Sequence, residues 1–333
     1  TLEARRRKGV ESIGSLSFET RYKFSRRTFF VVALATLLLC AQDATAQRRS
    51  KKPAAASSKS ITVRTEPNAV VWLDEVRRGV TDAGGKLTLE KVSAGRHSLR
   101  VRASGFRERT LPLTAAQRGE IEVRLTETTD EAELTFQRAE EAREKARDEE
   151  SKRAAAELYR KAIELRPKFA AAHVGLARLL LDMNEYKQAL AEIDLARESR
   201  PVYPEASAVE GRILRYAAFW DDAIAAFKRA IREARGFQPE AHTGLALLYE
   251  EKGMDEEAIA GFRTAIAQLS DSEPVLYQLL GAAYEKMERY KEAVEAYEKY
   301  LQLAPEGNLA TAIRSVIDQL RRQAEEQQSN QQD

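Results

Sequence analysis

The chain has 333 residues, 43% of them hydrophobic and 32% charged, which is enough for two or three modest cores. Its 54 Lys+Arg nearly balance 52 Asp+Glu, which argues against a dedicated nucleic-acid binder. A single cysteine, Cys40, rules out a disulfide framework or a Cys-rich metal site within one chain, and three histidines (His97, His173, His242) supply His-dependent catalysis and zinc binding poorly.

The small excess of positive charge lies in residues 1–46; removing them leaves 46 Lys+Arg and 48 Asp+Glu. Residues 1–24 read as an extension, from the choice of start site or the edge of a fragment. Arg26 and Arg27 then lead into an apolar run from Thr28 to Ala41, about 14 residues and too short for an ordinary membrane span of ~20. Ala44-Thr45-Ala46 satisfies the small-x-small rule for signal peptidase. The expectation is export to the periplasm or cell envelope with cleavage after Ala46; the alternative is a membrane anchor made by an uncleaved signal. SRRTFF (25–30) resembles the twin-arginine export motif as well as an ordinary signal start, and Leu37-Leu38-Leu39-Cys40 resembles a lipobox except that Leu39 is not small. Residues 47–59 are basic, rich in Ala and Ser and without large apolar side chains, and read as a flexible linker.

From 60 to 127 the pattern has period two. The segments 61–65, 70–74, 86–90, 97–103, 107–113 and 120–125 are separated by turn signals such as Pro67-Asn68, Gly84-Gly85 and Ser104-Gly105. About six short strands in this length predict a small all-β, antiparallel sandwich with Trp72, Leu99, Val101, Phe106 and Val123 in its core. EPNAVVWLD (66–74), Gly79 and AGRHSLRVRASGF (94–106) resemble a PEGA domain. Asp74-Glu75 replaces the usual Asp-Gly turn, and TDAGGKLTLEKVSAGRHSL (81–99) looks as much like the carboxypeptidase regulatory-like sandwich. Either resemblance implies an extracytoplasmic module without catalysis of its own. His97, at a strand start, reads as filler.

Beyond residue 130 the composition turns to Ala, Glu, Leu, Lys and Arg at helical period, and one pattern recurs. A small residue precedes a bulky one by four, and a further position follows three later: Ala155/Tyr159/Ala162, Ala189/Ile193/Ala196, Ala223/Phe227/Ala230, Ala258/Phe262/Ala265 and Ala293/Tyr297/Tyr300. Successive units are 34, 34, 35 and 35 residues apart. Upstream halves are clear in HVGLARLLLD (173–182), HTGLALLYEE (242–251) and YQLLGAAYEK (277–286). The pattern resembles the tetratricopeptide repeat, best in the last unit with Tyr277, Leu280, Gly281, Tyr284, Ala293, Tyr297 and Pro305. The resemblance implies an all-α solenoid over 131–305, with units near 136–169, 170–203, 204–238, 239–273 and 274–307. The triplets then serve cohesion, and His173 and His242 are packing residues. The charged helix at 131–147 reads as a solvated cap or a lead from the sandwich. Residues 308–323 read as a closing helix and 324–333 as a disordered tail.

No phosphate loop, HExxH, paired CxxC or GxSxG is present, so no catalytic, cofactor or metal residue is assigned and no cofactor is expected. The resemblance implies a non-enzymatic scaffold that binds a protein or peptide partner. A structural spacer or self-assembling envelope component is the alternative, and an enzyme accessory subunit a third. Groove positions carried over from the family are Val174, Arg178, Leu181, Ala208, Arg212, Arg215, Tyr216, Thr243, Leu247, Glu250, Gln278, Ala282 and Glu285. Arginines at one end and Glu250 and Glu285 at the other predict a polarised groove whose arginine end accepts a carboxylate-bearing segment.

Overall fold

The computed structural model describes residues 59–74, 76–92, 97–269 and 273–330; the signal-like segment and nearly all of the basic linker lie outside them. Nine strands come first among the described residues: β1 Lys59–Arg64, β2 Val70–Leu73, β3 Val76–Val80, β4 Lys86–Val92, β5 His97–Arg102, β6 Phe106–Arg107, β7 Arg109–Leu113, β8 Gly119–Glu122 and β9 Thr126–Glu127. They form a sheet of order β4-β1-β8, a sheet of order β3-β2-β5-β7 and a short β6-β9 pair.

Alternation decides which face of each strand is buried. Ile61 and Val63 of β1, Val71 and Leu73 of β2, and Leu99 and Val101 of β5 enter one shared core with Leu113 and Val123. Two expected core residues differ: Phe106 is only partly buried at the core's edge, and Trp72 is half-buried on the opposite face. Trp72 sits between Val71 and Leu73 in the chain and opposite Arg100 in register, so the pleat that buries its neighbours turns it outward. The sandwich is not wholly antiparallel, because β1 and β8 pair in parallel. Strand β3 has no clear alternation in sequence, since Arg77 and Arg78 interrupt it. It forms because Asp74 takes φ +53 and turns the chain back along β2. The Asp74 carboxylate accepts from the Ser98 amide at 2.7 Å and lies 2.5 Å from His97 Nδ1. His97 thus ties this turn to β5 rather than merely filling space.

Eleven helices follow: α1 Glu131–Lys145, α2 Glu149–Leu165, α3 Ala170–Asp182, α4 Tyr186–Ser199, α5 Pro204–Tyr216, α6 Trp220–Glu233, α7 Pro239–Glu251, α8 Asp255–Gln268, α9 Pro274–Lys286, α10 Tyr290–Leu303 and α11 Ala310–Asn330. They pack as antiparallel pairs in chain order. Proline at the first position starts α5, α7 and α9, where its missing N–H costs nothing. Asn184, Ala218, Gly253 and Glu288 take left-handed φ between helices of a pair and turn the chain at the same phase of each unit.

The five triplets lie on α2, α4, α6, α8 and α10, and every member is buried. Helices come close because glycine faces the ring. A Cβ on Gly175 would stand 2.4 Å from Tyr159, one on Gly281 2.7 Å from Tyr297, and one on Gly244 2.2 Å from Phe227 Cζ. Phe227 is gripped from both sides, since Gly211 of its own pair also faces it.

Two expectations change. Helix α1 is not a solvated cap: Thr135, Phe136 and Ala139 are buried, and the Phe136 ring lies 4.8 Å from Phe169 and 6.2 Å from Tyr159. Its charge pattern hid a narrow apolar stripe. Helix α11 closes the array with Ile313, Ile317, Leu320 and Ala324 and continues to Asn330, into the stretch read as a disordered tail. Gln327 Nε2 donates to the Glu288 carbonyl at 3.0 Å, anchoring that last turn.

Gly244→Ala should cost about 1–3 kcal/mol, because the new methyl must displace a ring held on both sides; chemical denaturation of the two proteins side by side measures it.

Candidate functional site between the sandwich and the inner helices

Helices α1, α3, α5 and α7 pack side by side as the first members of their pairs. Six of the groove positions read from the sequence, Arg178, Arg212, Arg215, Tyr216, Thr243 and Leu247, line one cleft of about 600 Å³. Val76 of β3, Val275 and Leu276 of α9, and Arg143, Asp182 and Glu240 are among the residues that line the rest of it. Val174, Leu181 and Ala208 do not reach the surface and are corrected to core residues; they fall on helix flanks that meet neighbouring helices. Glu250, Gln278, Ala282 and Glu285 are half-buried and lie outside this cleft. Tyr297 donates to Glu285 at 3.0 Å, which binds α9 to α10. Burial raises the Glu250 carboxyl above its usual value.

The arginine end carries its own counter-charges. Arg178 Nη1 lies 2.7 Å from Glu205, Arg212 Nη1 3.2 Å from Glu240, and Arg215 Nη2 3.8 Å from Glu251. Burial by itself would raise the Glu205 carboxyl; Arg178 and Arg100 outweigh it and bring the pKa down to about 2. These carboxylates are the residues that sequence reasoning passed over. The signal was present: Pro204-Glu205-Ala206 and Pro239-Glu240-Ala241 repeat at the start of consecutive inner helices. Each puts a glutamate in a helix's first turn, in reach of the arginine one unit earlier.

The sandwich fills the groove beside α1, α3 and α5. Arg77 pairs with Glu144 at 2.9 Å, Arg102 with Glu140 at 3.2 Å, and Arg100 approaches Glu205 to 3.9 Å. Gln137 of α1 clasps the turn before β6, donating from Nε2 to the Phe106 carbonyl at 2.7 Å and accepting from the Gly105 amide at 2.9 Å. Val76 packs on the apolar cluster of α7 to α11. The outward Trp72 is covered by Arg100 and Arg102, whose guanidinium carbons lie 4.5 and 5.1 Å from its ring centre. A second cavity of about 320 Å³ remains along this seam, lined by Trp72, Arg77, Glu140, Glu144, Tyr203 and Glu205 among others.

Among the described residues no group of three or more His, Cys, Asp or Glu is placed to hold a metal ion, and no helix is long and apolar enough to cross a membrane.

Models of the tetratricopeptide repeat match residues 146–213, 209–274 and 274–306. The helical region is a tetratricopeptide repeat (TPR) solenoid. Among solved structures, pilF of Pseudomonas aeruginosa is 16% identical, with 58% of this chain and 86% of that one covered and a TM-score of 0.51. TTC0263, a TPR protein of Thermus thermophilus, is 20% identical, with 57% and 98% covered and a TM-score of 0.47. YrrB, described as a TPR protein with an unusual peptide-binding site, is 20% identical, with 56% and 94% covered and a TM-score of 0.40. At such identities the likeness concerns fold alone. No curated protein matches the sequence.

Within the TPR units, His173 and His242 occupy the same phase of α3 and α7, and each ring faces the carbonyl six residues earlier. His173 is buried, with Nε2 3.0 Å from the Pro167 carbonyl and Nδ1 2.6 Å from Glu192 Oε2. Only the imidazolium donates to both. Burial opposes that charge, but the bonds to Glu192 and Pro167 prevail and raise its pKa above the ordinary value. The stability this adds is fully present below the unfolded value of ~6.5 and is lost as pH climbs through the raised folded-state value. His173→Gln should therefore cost most at acidic pH and progressively less toward alkaline pH, in denaturation curves recorded across that range.

Proposed function

We propose that this chain is an exported, non-enzymatic scaffold that holds a protein or peptide partner in the cleft bounded by β3, α5, α7 and α9. One observation carries the reading. The cleft is open, has an apolar floor of Val76, Leu247 and Leu276, and has Tyr216 and Val275 on its wall at 57% and 52% exposure. Large apolar side chains left in water within a concave site are a common mark of a binding surface. Recognition rests on this floor more than on the arginines, whose charge is met by Glu205, Glu240 and Glu251. A partner that bonds Arg212 or Arg215 adds orientation.

Export is supported by Arg26-Arg27, the apolar run to Ala41 and the Ala44-Thr45-Ala46 site. The sandwich is read as a PEGA-like module from residues 66–74 and 94–106, contacting the envelope or another protein while the TPR cleft takes the partner.

Leu247→Glu combined with Val275→Glu should abolish partner capture by the full chain from envelope extracts, with helical circular dichroism unchanged. Capture equal to the unmodified chain rules the cleft out. The mature protein recovered from its host should begin at Gln47 by mass spectrometry; a chain retaining residues 25–46 rules out cleavage.

A further inference from the structure

The seams inside the solenoid are made of alanine, leucine and aromatic rings. The seam between solenoid and sandwich is made mainly of charge. On the sandwich side, Arg77, Arg100 and Arg102 face the helices, and Glu108 pairs with Arg100 and Arg102. On the helical side stand Glu140, Glu144 and Glu205, with Arg143 and Arg178. One surface is positive in excess and the other negative. Glu140 and Glu144 lie one turn apart on α1, and Glu205 faces them from α5 across the 320 Å³ cavity. Carboxylates so spaced suit the planar fork of a guanidinium better than the point charge of an ammonium. Polar interfaces between domains of one chain also exchange more readily than apolar ones, and ion pairs at such a seam weaken with salt.

We propose that the inner face of α1, α3 and α5 reads arginine, that the chain's own β-sandwich fills it in this structure, and that an arginine-bearing segment of a partner gains the face by displacing the sandwich. The displacement has a defined joint. Only residues 128–130 separate β9 from α1, and opening must break two neutral contacts, the Gln137 clasp on Phe106 and Gly105 and the packing of Val76 on the helices. The arginine positions are set by the sheet: Arg100 and Arg102 alternate outward on β5, and Arg77 joins them from the neighbouring hairpin. A partner segment would imitate that spacing, an extended strand with arginines two residues apart. This surface adjoins the cleft floored by Leu247 and shares Arg143 and Arg178 with it. Trp72 quenching reads the seam and the Leu247/Val275 substitutions read the cleft, so the failure of one is told apart from the failure of the other.

The chain contains two tryptophans, Trp72 and Trp220, so full-length protein carrying Trp220→Phe reports on Trp72 alone. Acrylamide quenching of Trp72 is measured at low ionic strength while capped penta-arginine, penta-lysine or penta-glutamate is added. Penta-arginine should raise the quenching constant saturably. Penta-lysine should need roughly tenfold more for the same effect, the ratio given by about 1.4 kcal/mol of lost fork geometry, and penta-glutamate should do nothing. Arg77→Glu in the same background should raise quenching without peptide, and Arg77→Glu with Glu144→Arg should restore it. No response to penta-arginine, or equal responses to arginine and lysine peptides, overturns the proposal. If Arg77→Glu disturbs helicity, the peptide titration on the Trp220→Phe chain decides alone.

Discussion

An aromatic ring pressed against a neighbouring helix that carries no side chain at the point of contact is the constraint on which the solenoid depends. Phe227 is held between Gly211 and Gly244, and so couples its own helix pair to the next. Tyr159 does the same toward Gly175. Because Phe227 and Tyr159 are shared between units, their helix pairs do not complete their cores alone, and the apolar stripe of α11 is what lets the series stop. Burial of this kind is non-directional and worth about 25 cal/mol per Å². Closeness of approach, not polar bonding, therefore fixes the spacing of the inner helices and the width of the groove between them.

That groove explains why charge collects where it does. Inner helices placed side by side bring the first-turn glutamates of α5 and α7 under the arginines of α3 and α5, giving the Arg178–Glu205 and Arg212–Glu240 pairs. Partial burial makes each charge costly by itself and acceptable in a pair. The sandwich enters the same arrangement through Arg77, Arg100 and Arg102. What faces solvent afterwards is mainly the apolar wall of the cleft near Leu247 and Val275. The two halves of the molecule thus divide the groove, one part closed by ion pairs and one left open and oily.

Several features were legible from residue types alone. The triplets around Tyr159, Ile193, Phe227, Phe262 and Tyr297 were readable because a 3.6-residue period and a 34-residue period coincide, and local geometry gives every copy the same environment. Strand alternation placed Leu99, Val101 and Val123 in the core for a similar reason. Side-chain size misled at Trp72, suggesting the core although its parity in the strand pointed outward. Charge content failed at α1, where a few apolar positions suffice because only a narrow stripe is covered. Composition failed at α11, where Gln327 bonds back to α10's preceding turn.

By itself the sequence determined the order of a β region before helical repeats, the register of each helix pair and the identity of the rings that hold them. These follow from periodicity, which is a property of near neighbours in the chain. Only the tertiary structure decided which groove residues are accessible, that Val174, Leu181 and Ala208 are core, and that Glu140, Glu144 and Glu205 receive the sandwich's arginines. Those pairings join residues 38, 67 and 105 positions apart. No local pattern encodes them, because they depend on how far a superhelix curves and on what fits inside it.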